Sequence, residues 1–282
     1  MYLRTSQHQL LIKANPKNPK NPRMPSKNRD NRISGVQPLS RSKSFCLGYM
    51  NELGSRIGSK CRYAPEFCTK YDDRNHMRFE HILSSPMIDL NKLKQLAWNG
   101  IPDCCRLMTW QILSGILTIF PAQHGEILIK KRDEYNKFIS TYFQNRNSTS
   151  NSATIRQICI DIPRTFPLVP IFQNDSIQSM YQRILYIWAI RHPASSYVQG
   201  INDLIGPILF SALFPYFGSD VLTSDPSTLD GQTLLDVEVN CFWLLTKLLD
   251  NIIDNYTPDQ PGIQTKIRKV RRLVEMFDSN QF

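Results

Sequence analysis

The stretch from Ser176 to Trp188 constrains the fold more than any other. Ile177, Met180, Tyr181, Ile184, Leu185 and Trp188 recur at intervals of three and four, which places them on one face of an α-helix. Ser176 is a suitable opening residue and His192-Pro193 a stop. The same period returns along most of the chain. Leu107, Trp110, Gln111 and Leu113 form an inward set after the turn ending in Ile101-Pro102-Asp103, preceded by short helices carrying Phe79, Ile82, Leu83 and then Leu90, Leu93, Leu96 and Ala97. Residues 126–143 read as a helix with Tyr135, Phe138, Ile139 and Tyr142 inward and Lys130, Lys131, Arg132, Asp133 and Glu134 outward, followed by a polar loop over 144–153. Residues 237–255 read as a long helix with Val239, Phe242, Trp243, Thr246, Leu249 and Ile253 inward, and another begins at Lys266. No alternating strand pattern competes, so the expected fold class is all-α.

Two polar side chains sit where a helical core would not place them. Arg164 lies between Pro163 and the Phe166-Pro167 pair, and proline both fixes its own φ and disfavours helix in the residue before it. A stiff extended loop carrying a guanidinium is expected there. Gln199 follows Tyr197 and precedes Gly200, at the start of an apolar run from Ile201 to Phe217; the glycine is expected to let another backbone approach. The path of loop, helix, proline turn and next helix start can bring both side chains to one end of a helical pair. A guanidinium beside a carboxamide suits phosphoryl transfer to water: one stabilises charge on the transferring group and the other orients the attacking water.

At these residues the sequence resembles a known family, the TBC domain of Rab GTPase-activating proteins. Ile158-x-x-Asp161-x-x-Arg164 resembles its IxxDxxR motif, Tyr197-x-Gln199-Gly200 its YxQG motif, and Arg106-x-x-x-Trp110, after Gly100-Ile-Pro102, its opening RxxxW element. The three occur in the family's order. The longer wording IDIPRT, YIWAIRHPAS and YVQGINDL looks like the Golgi-associated subgroup, which acts on Rab proteins of early secretory traffic. The resemblance implies a multi-helix domain with Arg164 as an arginine finger, Gln199 as a glutamine finger, and Asp161 and Tyr197 orienting their loops. It implies a Rab-family GTPase as partner, which carries GTP and Mg²⁺, so that this chain needs no cofactor or metal of its own. By the same resemblance the chain is expected to be a GTPase activator supplying residues in trans rather than an enzyme with its own substrate, with a cytoplasmic location peripheral to Golgi or other endomembranes. Arg106 and Trp110 are read as structural, the arginine paired with a buried acceptor and the tryptophan in the core. The resemblance covers residues 92–282 and implies a further helical half beyond Phe282, so residues 76–282 are expected to be the incomplete first part of the domain.

Charge and cysteine usage remove other classes. Residues 1–75 hold 15 Lys and Arg against 5 Asp and Glu, whereas residues 76–282 hold 19 of each, so the net +10 resides in the first part. That leader contains the tandem tract from Asn15 to Arg23 and few apolar anchors, and is expected to be disordered. It could meet anionic lipid or an adaptor protein; the folded part has no nucleic-acid-binding signature, and no nucleic-acid partner is expected. Seven scattered cysteines without a CxxC pair read as reduced thiols. Cys61, Cys68, His76 and His81 lack the tight ligand pairs of zinc modules. Gly54 to Lys60 has the wrong spacing for a phosphate-binding loop. The runs from Leu107 to Gly125 and from Leu204 to Phe217 are too interrupted or too short to span a bilayer, and read as buried helices.

A plainer arrangement uses the same residues: Arg164 could pair with Asp161 three positions away, and Gln199 could cap a helix. The functional alternatives are a catalytically weak Rab-binding module or a scaffold recruited through residues 1–75.

Overall fold

The computed structural model describes residues 73–144, 146 and 152–277. Among them every regular element is helical: nine α-helices connected through short 3₁₀ turns and one π-helical turn, with no strand. The chain is all-α, as its periodicity requires. The basic leader lies outside the described residues except for its last three, which already belong to the first helix.

Two helices, α1 (Asp73–Leu83) and α2 (Leu90–Ala97), lead into α3 (Asp103–Leu113). Asp89 caps α2 by accepting hydrogen bonds from the backbone N–H groups of Asn91 and Lys92 at 3.0 and 3.1 Å, which satisfies two donors that a helix start leaves unpaired. Phe79, Leu83, Leu93, Met108 and Ile112 close a small core between these three helices. On α3 the buried side chains are Cys105, Met108, Thr109, Gln111 and Ile112, while Leu107, Trp110 and Leu113 are only half-buried. The inward face is thus turned by about one residue from the expected one. An α3 held between two cores packs on more than one side, and a single stripe does not describe it.

The next helix, α4 (His124–Phe138), ends in a π-helical turn over Ile139–Phe143 instead of running straight to residue 143. Two of its supposedly outward charges reach across to a later helix. Arg132 pairs with Asp236 at 2.6 Å, and the Lys131 ammonium lies 3.6 Å from the Trp243 ring centre. The polar loop is expected to reach residue 153, but α5 (Ser152–Asp161) already begins at Ser152. Ser, Ala and Thr at its start supply no apolar stripe, so periodicity misses it; Ile158 is the buried anchor that seats it.

The central element is α6 (Asp175–Arg191). Asn174 caps it through Ser176 N–H at 2.9 Å. His192 closes it, stacked on Trp188 at 4.5 Å between ring centres, with Nδ1 within 2.8 Å of the Trp188 carbonyl oxygen. Besides the expected face it buries Tyr186, Ile187 and Ala189, so its second half is enclosed on all sides. Next to it pack α7 (Ile201–Phe217) and α8 (Gly231–Asp250). With the 3₁₀ turn that follows, Ile201–Thr223 is long and apolar enough to cross a membrane by length and composition. Ten residues of α7 are nevertheless buried inside the protein, in contact with α3, α6 and α8, which makes it the expected buried helix. The other apolar run, Leu107 to Gly125, is divided between α3, a 3₁₀ turn at Pro121 and the start of α4. Helix α8 starts six residues earlier than expected, capped by the Asp230 carboxylate, and ends at Asp250; Ile253–Asn255 is a separate 3₁₀ turn. The last helix, α9 (Pro261–Phe277), begins at the proline, five residues before the expected Lys266, and leaves Ile267, Val270, Leu273 and Phe277 exposed.

Candidate functional site

Asp161 ends α5, and the spacing Ile158, Asp161, Arg164 winds down this helix into a 3₁₀ turn over Ile162–Arg164. Arg164 is therefore carried at the end of a helical turn, not on the extended loop that its prolines suggested. Pro163 fits within the first residues of that turn, where a missing N–H costs nothing. The extended backbone begins only at Thr165. Phe166, the residue before Pro167, then adopts φ 44° and lays its ring against α7. A Cβ at Gly206 would come within 2.5 Å of that ring, so the close approach that requires glycine occurs at Gly206. Gly200 serves a different need from the one expected. Nothing crowds it, but its φ of 99° is open only to glycine at little cost. Ser196 also lies at positive φ, 51°, so a rarely occupied backbone conformation flanks each motif.

The Asp161 carboxylate joins the two segments. Its side chain is 1% exposed and receives the Arg164 guanidinium on Oδ1, together with Gln157 Nε2 at 3.0 Å. Its Oδ2 accepts from the Tyr197 hydroxyl at 2.7 Å. Behind this carboxylate, Asn202 on α7 forms a second bridge. Asn202 Nδ2 donates to Thr165 Oγ1 at 2.7 Å, and its Oδ1 accepts from Gly200 N–H at 3.0 Å and lies 3.1 Å from the Tyr197 hydroxyl. Thr165 Oγ1 in turn donates to the Asp161 carbonyl at 3.0 Å. The loop after α5 and the turn before α7 are thus locked into one polar network, with each buried group partnered.

The network sets the charge states. Burial opposes ionisation of Asp161, yet hydrogen bonds from Tyr197, Arg164 and Gln157 outweigh it and hold the carboxyl below its ordinary range. Tyr197 is pushed far above an ordinary phenol, first by burial and then by its bond to Asp161, and stays a neutral donor. Burial, reinforced by the Asp161 charge, raises Asp203 at the start of α7.

Arg164 and Gln199 are the accessible members. The Arg164 side chain is 51% exposed although one of its nitrogens rests on Asp161, so the pairing weighed from sequence exists without burying the guanidinium. Gln199 is exposed, and among the described residues its side chain makes no hydrogen bond. It caps nothing: Gly200 is the residue preceding α7, and its N–H is taken by Asn202. The other motif residues lie apart. Arg106 pairs with Asp103 and donates to the Ile101 carbonyl at 2.9 Å, holding the turn into α3, while Trp110 is half-buried against the main core. Asn202, Thr165 and Gln157 were not singled out from the sequence. The one available signal was Asn202, an amide followed by Asp203 within an otherwise apolar helix start.

The chain belongs to a known family of helical domains: residues 103–281 match the Rab-GTPase-TBC domain. Among individual proteins, the chain is 42% identical over 241 residues to TBC1 domain family member 22B of Homo sapiens, covering 86% of this chain and 48% of that protein. It is 44% identical over 204 residues to the GTPase-activating protein gyp1 of Schizosaccharomyces pombe, covering 71% of this chain and 40% of that protein. The crystal structure of the Ypt/Rab-GAP domain of Gyp1p superposes with a TM-score of 0.68 at 41% identity, over 74% of this chain and 66% of the other. The chain thus spans about half the length, or less, of these curated relatives.

Proposed function

We propose that this chain contributes the catalytic loops of a GTPase-activating protein for a Rab-family GTPase. The partner brings GTP and Mg²⁺; Arg164 offers positive charge to the transferring phosphoryl group and Gln199 orients the attacking water. The observation that carries this reading is the Asp161 carboxylate, which holds the Arg164 guanidinium on one oxygen and Tyr197, two residues before Gln199, on the other. One buried anchor thereby positions two exposed polar ends, and preorganised charge is what such a transition state rewards. The names of its relatives, GTPase-activating protein and Ypt/Rab-GAP domain, support the same partner class. Action at the cytoplasmic face of Golgi or related membranes, with residues 1–75 touching adaptor or anionic lipid, is part of this proposal.

The test is single-turnover GTP hydrolysis by a panel of Rab proteins. Acceleration is expected with the wild-type chain and loss of it with Arg164→Ala or Gln199→Ala; an Arg164→Ala chain that still accelerates fully would overturn the assignment. A second reading, a Rab-binding module without activity, is favoured by the contact between Arg164 and Asp161, since a guanidinium that never leaves its carboxylate lends little charge. Binding of a GTP-loaded Rab without acceleration selects that reading.

A further inference from the structure

We propose that His76, Cys104 and Cys105 form a binding site for Zn²⁺ that fastens α1 to the first turn of α3. The sequence offered His76 as a metal ligand only alongside Cys61 and Cys68, which lie outside the described residues, and His81, which is exposed. The fold instead brings His76 to two adjacent thiols 28 and 29 residues further on. Its Nδ1 lies 3.4 Å from Cys104 Sγ and 3.8 Å from Cys105 Sγ, and the two sulfurs are 3.8 Å apart. A tetrahedral zinc with the usual bond lengths to sulfur and imidazole nitrogen has S···S edges of about 3.8 Å and S···N edges of about 3.5 Å. The three donors therefore already occupy three corners of such a tetrahedron. Sulfurs at this separation are also too far apart for a disulfide, and none joins Cys104 to Cys105.

The surroundings favour a thiophilic dication. His76 is 4% exposed and Cys105 3%, with Cys105 set among Phe79, Met108 and Ile112. Two thiolates and a neutral imidazole around Zn²⁺ carry no net charge, so the complex avoids the desolvation cost that would fall on either ion alone. Both thiols lie in the first turn of the eleven-residue α3, where the helix dipole stabilises thiolate. Soft sulfur donors with imidazole select zinc over magnesium or calcium. Binding releases the two thiol protons to solvent and leaves the fourth position for water or another donor.

The experiment uses the full chain purified under reducing conditions. Atomic emission is expected to find zinc near one per chain, and Co²⁺ replacing it should give a sulfur-to-cobalt charge-transfer band and tetrahedral d–d absorption. X-ray absorption of the wild-type zinc form should read two sulfurs and an imidazole, which needs no variant. Cys104→Ser and His76→Asn should abolish the cobalt bands while circular dichroism stays helical, and Cys159→Ser should leave them intact. Wild-type protein that holds no stoichiometric zinc and gives no charge-transfer band would overturn the site. So would a zinc form with a different ligand set, or cobalt bands that persist unchanged in folded Cys104→Ser and His76→Asn chains, which would place the metal elsewhere.

Discussion

Two buried carboxylates in this molecule receive the same two partners, an arginine and a tyrosine hydroxyl, and are put to different uses. Glu238 on α8 is 2% exposed; it accepts both Arg183 Nε and Nη2, at 2.7 and 2.6 Å, and the Tyr135 hydroxyl at 2.7 Å. Those partners come from α6 and α4, 55 and 103 residues away, so the triad cross-links three helices. Asp161 takes its arginine from three residues away and its tyrosine from a turn, and so fixes loops rather than helices. The arginines differ accordingly. Arg183 is gripped by both carboxylate oxygens and 29% exposed, whereas Arg164 uses one nitrogen and keeps half its surface in solvent. Equal chemistry yields a structural rivet in one place and a presentable guanidinium in the other, and exposure with denticity makes the difference.

The contrast can be broken most sharply at Arg164. Arg164→Ala is expected to lower the stimulation of Rab GTP hydrolysis by on the order of 10³-fold or more, with a stability loss of only about 1.5 kcal/mol, because Asp161 keeps its bonds from Tyr197 and Gln157. Removing the other arginine should do the reverse. Arg183→Ala leaves Glu238 buried without its charge partner, and denaturant unfolding should show a loss of about 3–5 kcal/mol. If the two substitutions gave the same profile, the division between rivet and finger would fail. Tyr197→Phe sharpens the comparison within the site: losing one hydrogen bond to a charged group should cost about 1.5–3 kcal/mol. Its activity should fall because Asp161 no longer ties the two turns, which stopped-flow hydrolysis can separate from unfolding. The smallest effect concerns pH. Burial raises the Asp236 carboxyl to about 6 even with Arg132 beside it. A folded-state value above the unfolded one, about 3.9, means the contribution is fully present below the unfolded value and is lost as pH rises through about 6. Subtracting the stability curve of Asp236→Asn from that of wild type should show this decline between about pH 4 and 6.

The amino-acid order by itself determined that the chain is helical, where α6 begins and ends, and that Arg164 and Gln199 are out of place in a core. Local period and proline placement carry that information, because both act within a few residues. It misjudged α5, whose start has no stripe, the inward face of α3, and the backbone of Arg164, where proline permits a helical turn as readily as an extended strand. Only the tertiary structure decided that Asp161 and Asn202 join the two motifs, that Arg183 serves Glu238, and that His76 meets Cys104 and Cys105. Each of those depends on side chains from distant segments of the chain reaching one point. Helix packing sets that convergence across 28 to 103 residues, and no short-range period encodes it.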